Sequence, residues 1–184
     1  MSLYRPEFER ALHVFASVSQ NVERRGFARP VLVGGAAVEL YSASEIATGD
    51  FDLVTAQQDI LESTLREHGF VKPSGAGMLT RGWVHPDLGL GFEIVGSSLL
   101  DGRADGDRVR LIAVDSGEQF AVISVEDLIA DRMGQFASGT ASEFLGQAQW
   151  LFNLYQDVDL NYMDRRIREE TDGEYGVQDL EERP

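Results

Sequence analysis

The sequence predicts an α+β fold, in which a mixed β-sheet is flanked by helices and followed by a C-terminal helical segment. Three observations support this class. The chain opens with apolar residues at helical spacing, its middle alternates short β-branched runs with helical stretches, and only helical patterns follow residue 123. With 184 residues and 43% hydrophobic content, the chain is long enough for one domain with a filled core.

The predicted elements follow from apolar spacing and from the residues that break it. We predict helices over 5–26, 36–41, 57–68, 124–136, 142–157 and 161–170, and strands over 31–33, 50–54, 78–85, 88–95 and 109–114. Gly26 and Gly69 stand where helices are expected to end. Ser124 with Asp127 three residues later fits a capping box.

This order divides the chain into four parts. We expect an N-terminal helix packed on the core (1–27), an α/β core (28–122), a C-terminal helical segment (123–171) and an acidic tail (172–184). The tail is acidic and poor in large apolar side chains, and we therefore expect it to be mobile.

Composition excludes several classes of protein. Sixteen Lys and Arg against 31 Asp and Glu give a net charge of −15, which disfavours passive binding to duplex DNA. The absence of cysteine excludes disulfides and thiolate metal sites. No apolar run approaches the ~18 residues of a membrane span, and the N-terminus lacks a signal-peptide pattern. We expect a cytoplasmic protein with no membrane partner.

One constellation predicts chemistry. The run 31–33 ends in Gly34-Gly35, and backbone N–H groups at such a strand-to-helix turn favour an anion such as phosphate. Asp50 and Asp52 then lie at i and i+2, which places both carboxylates on one face of a strand. Two close carboxylates repel unless a cation lies between them, and Mg²⁺ suits such oxygen ligands. The pattern therefore predicts a phosphate cradle beside a divalent-metal site.

This pattern resembles the DNA polymerase β-like nucleotidyltransferases. It is most similar to their small prokaryotic members, the AbiEii-like abortive-infection proteins and the minimal nucleotidyltransferases of toxin–antitoxin pairs. The resemblance covers about residues 28–155 and implies a nucleotidyltransferase-type sheet. It also implies that Gly34 and Gly35 contact the triphosphate of a nucleotide, and that Asp50 and Asp52 bind Mg²⁺ or Mn²⁺.

The resemblance implies further site residues. Glu93, a lone carboxylate in an apolar strand, is the candidate for the third acid, which acts as general base and metal ligand; the alternative is an exposed edge-strand carboxylate. Arg132 is the candidate basic contact to the nucleotide; the alternative is a helix residue paired with a neighbouring acid. Thr48 fits the Thr-x-Asp-hydrophobic-Asp form of the small members, and His85 reaches the site only if its hairpin folds over it.

The function implied is transfer of a nucleoside monophosphate from an NTP, with ATP as the expected donor, to an acceptor hydroxyl with Mg²⁺. The sequence does not decide whether the acceptor is a protein, a small molecule or an RNA end. The alternative is a binding module on the same fold, an antitoxin or abortive-infection component with weak or no catalysis and a cognate toxin as partner. A homodimer is a further candidate assembly, and an unrelated α+β domain with an accidental motif is the third interpretation.

Overall fold

A six-stranded mixed sheet organises the protein in this computed structural model, which describes residues 3–47, 49–73 and 82–181. The strands are β1 (Val31–Val33), β2 (Phe51–Val54), β3 (Trp83–Val84), β4 (Gly91–Gly96), β5 (Arg110–Ala113) and β6 (Gln119–Val122). The helices are α1 (Pro6–Arg24), α2 (Gly34–Tyr41), α3 (Gln58–Glu67), α4 (Val125–Ala137), α5 (Glu143–Leu154) and α6 (Leu160–Glu170). The predicted α+β class is confirmed.

The strand order places the acid-bearing strands side by side. The order is β3-β4-β2-β1-β6-β5. Strand β1 runs antiparallel to β2 and parallel to β6, and β2 runs parallel to β4. The outer strands β3 and β5 are each antiparallel to their neighbour. As a result β2 and β4 present the same end of each strand at one edge of the sheet.

An aromatic cluster fills the face of the sheet covered by α1. Phe15 of this helix lies against Phe51, Phe92 and Phe120, with ring centroids 5.4–6.0 Å apart. Phe51 and Phe92 are register partners and stack at 4.8 Å. All four rings are fully buried. Burial of an aromatic side chain of this size is worth about 2–3 kcal/mol, so this cluster fixes how α1 and the sheet pack.

The C-terminal helices are held together by a buried ion pair. Ser124 caps α4 by accepting from the Asp127 N–H, which confirms the predicted cap. Asp127 also accepts from Arg166 Nε at 2.9 Å, and both side chains are only 1% exposed. Tyr162 donates to the same carboxylate at 2.9 Å. Because a buried charge is costly without its partner, this pair joins α6 firmly to α4.

Several element boundaries differ from the sequence predictions. Strand β6 is not among the predicted strands, because its four residues precede a helix cap directly and show no alternation. Of the strand predicted over 78–85, only Trp83–Val84 is seen, and residues 78–81 lie outside the described part. Helix α5 ends at Leu154 rather than at 157, since Tyr155 turns extended and donates its hydroxyl to the Tyr41 carbonyl.

The predicted mobile tail is wrong for residues 172–181. This segment folds back on the helices, and Leu180 is fully buried in the core. Tyr175 packs against Phe136 of α4 with ring centroids 5.5 Å apart. The few apolar residues of the segment therefore suffice to anchor it, because each is placed inward. Among the described residues, no helix combines the length and apolar character needed to cross a bilayer.

Candidate active site

Strand alternation brings two predicted acids together on the face of the sheet opposite the aromatic cluster. Phe51 and Phe92 are paired across β2 and β4, and the next residues, Asp52 and Glu93, are paired likewise. Since successive side chains point to opposite faces, the two carboxylates lie together on the other face. Both residues are half-buried. Asp50 precedes β2 by one residue and is exposed at the same edge.

The glycine turn between β1 and α2 fits closely against Asp52. Gly34 has φ +62, a left-handed conformation that favours glycine. A Cβ at position 34 would overlap Asp52 Oδ2 and would lie 3.0 Å from the Asp52 Cβ. The backbone N–H of Gly35 lies near enough to the Asp52 carboxylate to lower its pKa. The two glycines therefore hold Asp52 against the N-terminus of α2.

Asp50 has a different backbone partner. The Gly91 N–H donates to Asp50 Oδ1 at 2.8 Å, which ties the residue before β2 to the first residue of β4. A Cβ at position 91 would come within 3.1 Å of the same oxygen. Asp50 is thus held by the Gly91 N–H, whereas Asp52 rests against the backbone of Gly34.

The environment of Asp52 strongly disfavours its charge. Burial raises the pKa of Asp52 to about 6, with a further contribution from the neighbouring Glu93 and a smaller one from Asp50. Arg132 and the Gly35 N–H act in the opposite direction and lower it. An uncompensated negative charge in a partly desolvated site is what a bound cation would stabilise.

Arg132, the candidate basic contact, lines a cavity together with Asp52. The cavity measures about 560 Å³, and its lining includes Gly34, Asp52 and Arg132. The Arg132 side chain is only 6% exposed, lies over the Phe144 ring at 4.8 Å, and donates from Nε and Nη2 to Asp131. Its predicted alternative, pairing with a neighbouring acid, is therefore also seen.

Two helix residues that hold Arg132 are absent from the predicted site. Gln135 Nε2 donates to both oxygens of Asp131, at 3.0 and 3.1 Å, and so fixes the carboxylate that binds the arginine. Both residues line the same cavity. The spacing of four between Asp131 and Gln135 is the sequence signal that could have identified this pair.

A second cavity lies on the other side of the acids. It measures about 360 Å³, and its lining includes Asp50 and Glu93 together with His85 and the apolar residues Leu88 and Leu90. The hairpin that carries His85 therefore does lie beside the acids. The three acids therefore lie between two cavities: Asp52 lines the larger one, and Asp50 and Glu93 line the smaller one.

The donor set fits a hard cation, although it is not preassembled around one. Carboxylate oxygens are ligands of Mg²⁺ and Mn²⁺. In the part of the chain that the structure describes, no three His, Asp or Glu side chains converge closely enough to hold an ion. Asp50 instead accepts the Gly91 N–H, and Asp52 rests against the backbone of Gly34. Thr48, the remaining residue of the motif, lies outside the described residues.

Comparison with known proteins identifies the fold. No protein-family model matches the chain, and no curated protein does. The solved structures that match include the antibiotic-resistance factor ANT(2'')-Ia, with 14% identity, a TM-score of 0.55 and coverage of 88% of this chain and 89% of that one. An antigenic nucleotidyltransferase-like protein from Paracoccidioides brasiliensis matches with 17% identity, a TM-score of 0.54 and coverage of 93% and 90%. The chain therefore has a nucleotidyltransferase-like fold.

Proposed function

We propose that the protein is a metal-dependent nucleotidyltransferase, which transfers a nucleoside monophosphate from an NTP to an acceptor hydroxyl. One observation carries the proposal: Gly34 abuts Asp52 so closely that no side chain fits between them, and Glu93 is paired with Asp52 on the next strand. This joins a helix N-terminus, suited to phosphate, to a pair of acids suited to a cation. The AbiEii-like subfamily remains a sequence prediction within this proposal.

The nucleotide belongs in the larger cavity. Its wall offers the N-terminus of α2 and the guanidinium of Arg132, which attract phosphate. Two of the four acids in its lining are already paired: Asp131 binds Arg132, and Glu170 binds Arg166 at 2.6 Å. The other two are Asp52 and the exposed Asp101, and Asp52 is the one that lies against the start of α2. The volume of about 560 Å³ is in the range of small-molecule sites.

Asp50, Asp52 and Glu93 are the residues that would hold Mg²⁺ or Mn²⁺. The bound ions would neutralise charge on the triphosphate and polarise its α-phosphoryl group. The acceptor oxygen forms a bond to the α-phosphorus, and the bond from that phosphorus to the bridging oxygen of the pyrophosphate breaks. The hydroxyl proton passes to Glu93, and pyrophosphate leaves. ATP is the expected donor.

The acceptor is placed on the opposite side of the acids, in the smaller cavity. Glu93 lines that cavity and is available there as the general base. Leu88 and Leu90 give the wall an apolar character, so an acceptor with an apolar face beside its hydroxyl fits best. A protein side chain, a small hydroxylated molecule and an RNA end remain the candidate classes.

Titration with ATP tests the proposal. We expect binding to the wild type in the presence of Mg²⁺ and a loss of metal-dependent binding in the double variant Asp50→Asn/Asp52→Asn. The control is Asp115→Asn/Asp157→Asn, which removes two charges from exposed positions that line neither cavity and should bind as the wild type does. Unchanged metal-dependent binding in the Asp50/Asp52 variant would contradict the site.

A label-transfer assay, read together with the ATP titration, separates the enzyme from the binding module. Transfer of label from α-labelled ATP to a protein or small-molecule acceptor supports the enzyme. A wild type that binds no nucleotide with Mg²⁺, yet forms a stable complex with a partner protein, favours the antitoxin-like module. A homodimer is tested by sedimentation of the same preparation.

A further inference from the structure

An anion already lies at the N-terminus of α2. The Asp52 carboxylate rests against the Gly34 backbone, where the Cβ of any side chain would overlap Asp52 Oδ2. Gly34 and Gly35 begin an eight-residue helix, whose unpaired N–H groups and dipole attract negative charge. The position predicted for phosphate is therefore taken by a side chain of the protein itself.

A buried arginine lines the cavity beside this position. The Arg132 side chain is only 6% exposed, and it lines the same cavity as Gly34 and Asp52. Its Nε and Nη2 groups bind Asp131, and its Nη1 group has no hydrogen-bond partner among the described residues. A phosphate in the cavity would meet both this guanidinium and the start of α2.

Asp50 does not compete for the same position. Its carboxylate is held by the Gly91 N–H at 2.8 Å, and it lines the smaller cavity rather than the larger one. The two acids therefore differ in what they do before any ligand binds. Asp52 covers the phosphate position, whereas Asp50 leaves it open.

We infer that Asp52 blocks the phosphate position on α2 until a divalent cation draws its carboxylate away, so that the cation must bind before the triphosphate. The inference rests on the proposed function and adds an order of binding to it. A phosphate placed beside an ionised Asp52 meets a like charge at a few ångströms, which costs at least about tenfold in affinity. Asp52 and Glu93 would hold the cation, which would compensate that charge, and the Asp52 carboxylate would then leave the start of α2.

Calorimetry with inorganic pyrophosphate, in Mg²⁺ and separately in EDTA, tests the inference without any enzymatic turnover. The wild type should bind pyrophosphate with Mg²⁺ and at least about tenfold more weakly in EDTA. In EDTA, Asp52→Ala and Asp52→Asn should bind it at least about tenfold more tightly than the wild type does. Asp115→Asn is the control: Asp115 is exposed and lines neither cavity, so this variant should behave like the wild type in EDTA. Asp52→Asn keeps the size of the side chain, so it serves if Asp52→Ala fails to fold.

Two results would overturn the inference. One is equal affinity of the wild type for pyrophosphate with and without Mg²⁺. The other is a pair of Asp52 variants that bind pyrophosphate in EDTA no better than the wild type. If the wild type binds ATP with Mg²⁺ but the Asp52 variants bind pyrophosphate in EDTA no better than the wild type, the inferred order of binding is wrong and the proposed function stands. If no nucleotide binds to the wild type with Mg²⁺ and the variants still gain affinity in EDTA, the proposed function alone fails.

Discussion

Neutralising Asp52 should stabilise the folded protein. The change is Asp52→Asn, which keeps the size of the side chain and removes its charge. Burial and the nearby Glu93 raise the pKa of Asp52 from 3.8 to about 6 in the folded protein. A charged Asp52 therefore costs free energy of folding at neutral pH, and the variant removes that cost.

The magnitude follows from the pKa change. Moving the pKa of Asp52 from 3.8 to about 6 corresponds to about 3 kcal/mol at a pH above both values. Asp52 is only half-buried, so solvent screens part of this, and we expect Asp52→Asn to raise the free energy of unfolding by about 2 kcal/mol at pH 7.5. The gain should fall as the pH drops below about 6, because the folded wild type then takes up the proton. At pH 5.0 roughly half of the gain should remain.

Equilibrium unfolding in urea, followed by circular dichroism at pH 7.5 and 5.0, measures this difference. The control is Asp50→Asn, an exposed carboxylate at the same edge of the sheet, for which we expect a change within about 0.5 kcal/mol. The reasoning is refuted if Asp52→Asn is neutral or destabilising at pH 7.5. It is also refuted if the gain is the same at both pH values.

Three further substitutions test other parts of the structure. Gly34→Ala forces a side chain into a left-handed position against the Asp52 carboxylate, and it should lower the free energy of unfolding by about 2–4 kcal/mol and abolish Mg²⁺-dependent ATP binding. The control is Gly26→Ala, at a position with φ +84 and open space around it, which should lower the free energy of unfolding by only about 1 kcal/mol in the same urea titration. Arg166→Met leaves Asp127 buried without its cation and should lower the free energy of unfolding by about 3–5 kcal/mol; a loss under 1 kcal/mol would contradict the buried ion pair. Leu180→Ala should cost about 2–5 kcal/mol and speed proteolysis of the C-terminal segment, whereas no effect on either would restore the prediction of a mobile tail.

The motif itself can be predicted from the sequence, because it depends on short-range order along the chain. A strand followed by two glycines fixes a turn at the start of a helix, and acids at i and i+2 of a strand share one face. These local rules are sufficient to identify Gly34, Asp50 and Asp52 as candidate site residues. The fold brings Gly34 against Asp52, and this contact is the feature on which the proposed function depends.

Long-range pairings cannot be predicted in the same way. Glu93 pairs with Asp52 because β4 runs parallel to β2 beside it. No local sequence pattern indicates which strands are neighbours in a sheet. Strand β6, at 119–122, is too short to show alternation, yet it lies beside the central strand β1. In the sequence, Arg166 is one more charged residue of a polar helix. Only the crossing of α6 over α4 shows that it is buried on Asp127, 39 residues earlier.

The position of the metal is the central claim, and Mn²⁺ tests it most directly. Bound Mn²⁺ broadens the NMR signals of nearby amides, so a titration of the ¹⁵N-labelled protein locates the ion among the 31 acidic residues of the chain. We predict that the amides of 51–53 and 92–94 broaden first, that ATP strengthens the effect, and that Asp50→Asn/Asp52→Asn removes it. Broadening centred on the acidic segment 169–181, or unchanged in the double variant, would contradict the proposed site.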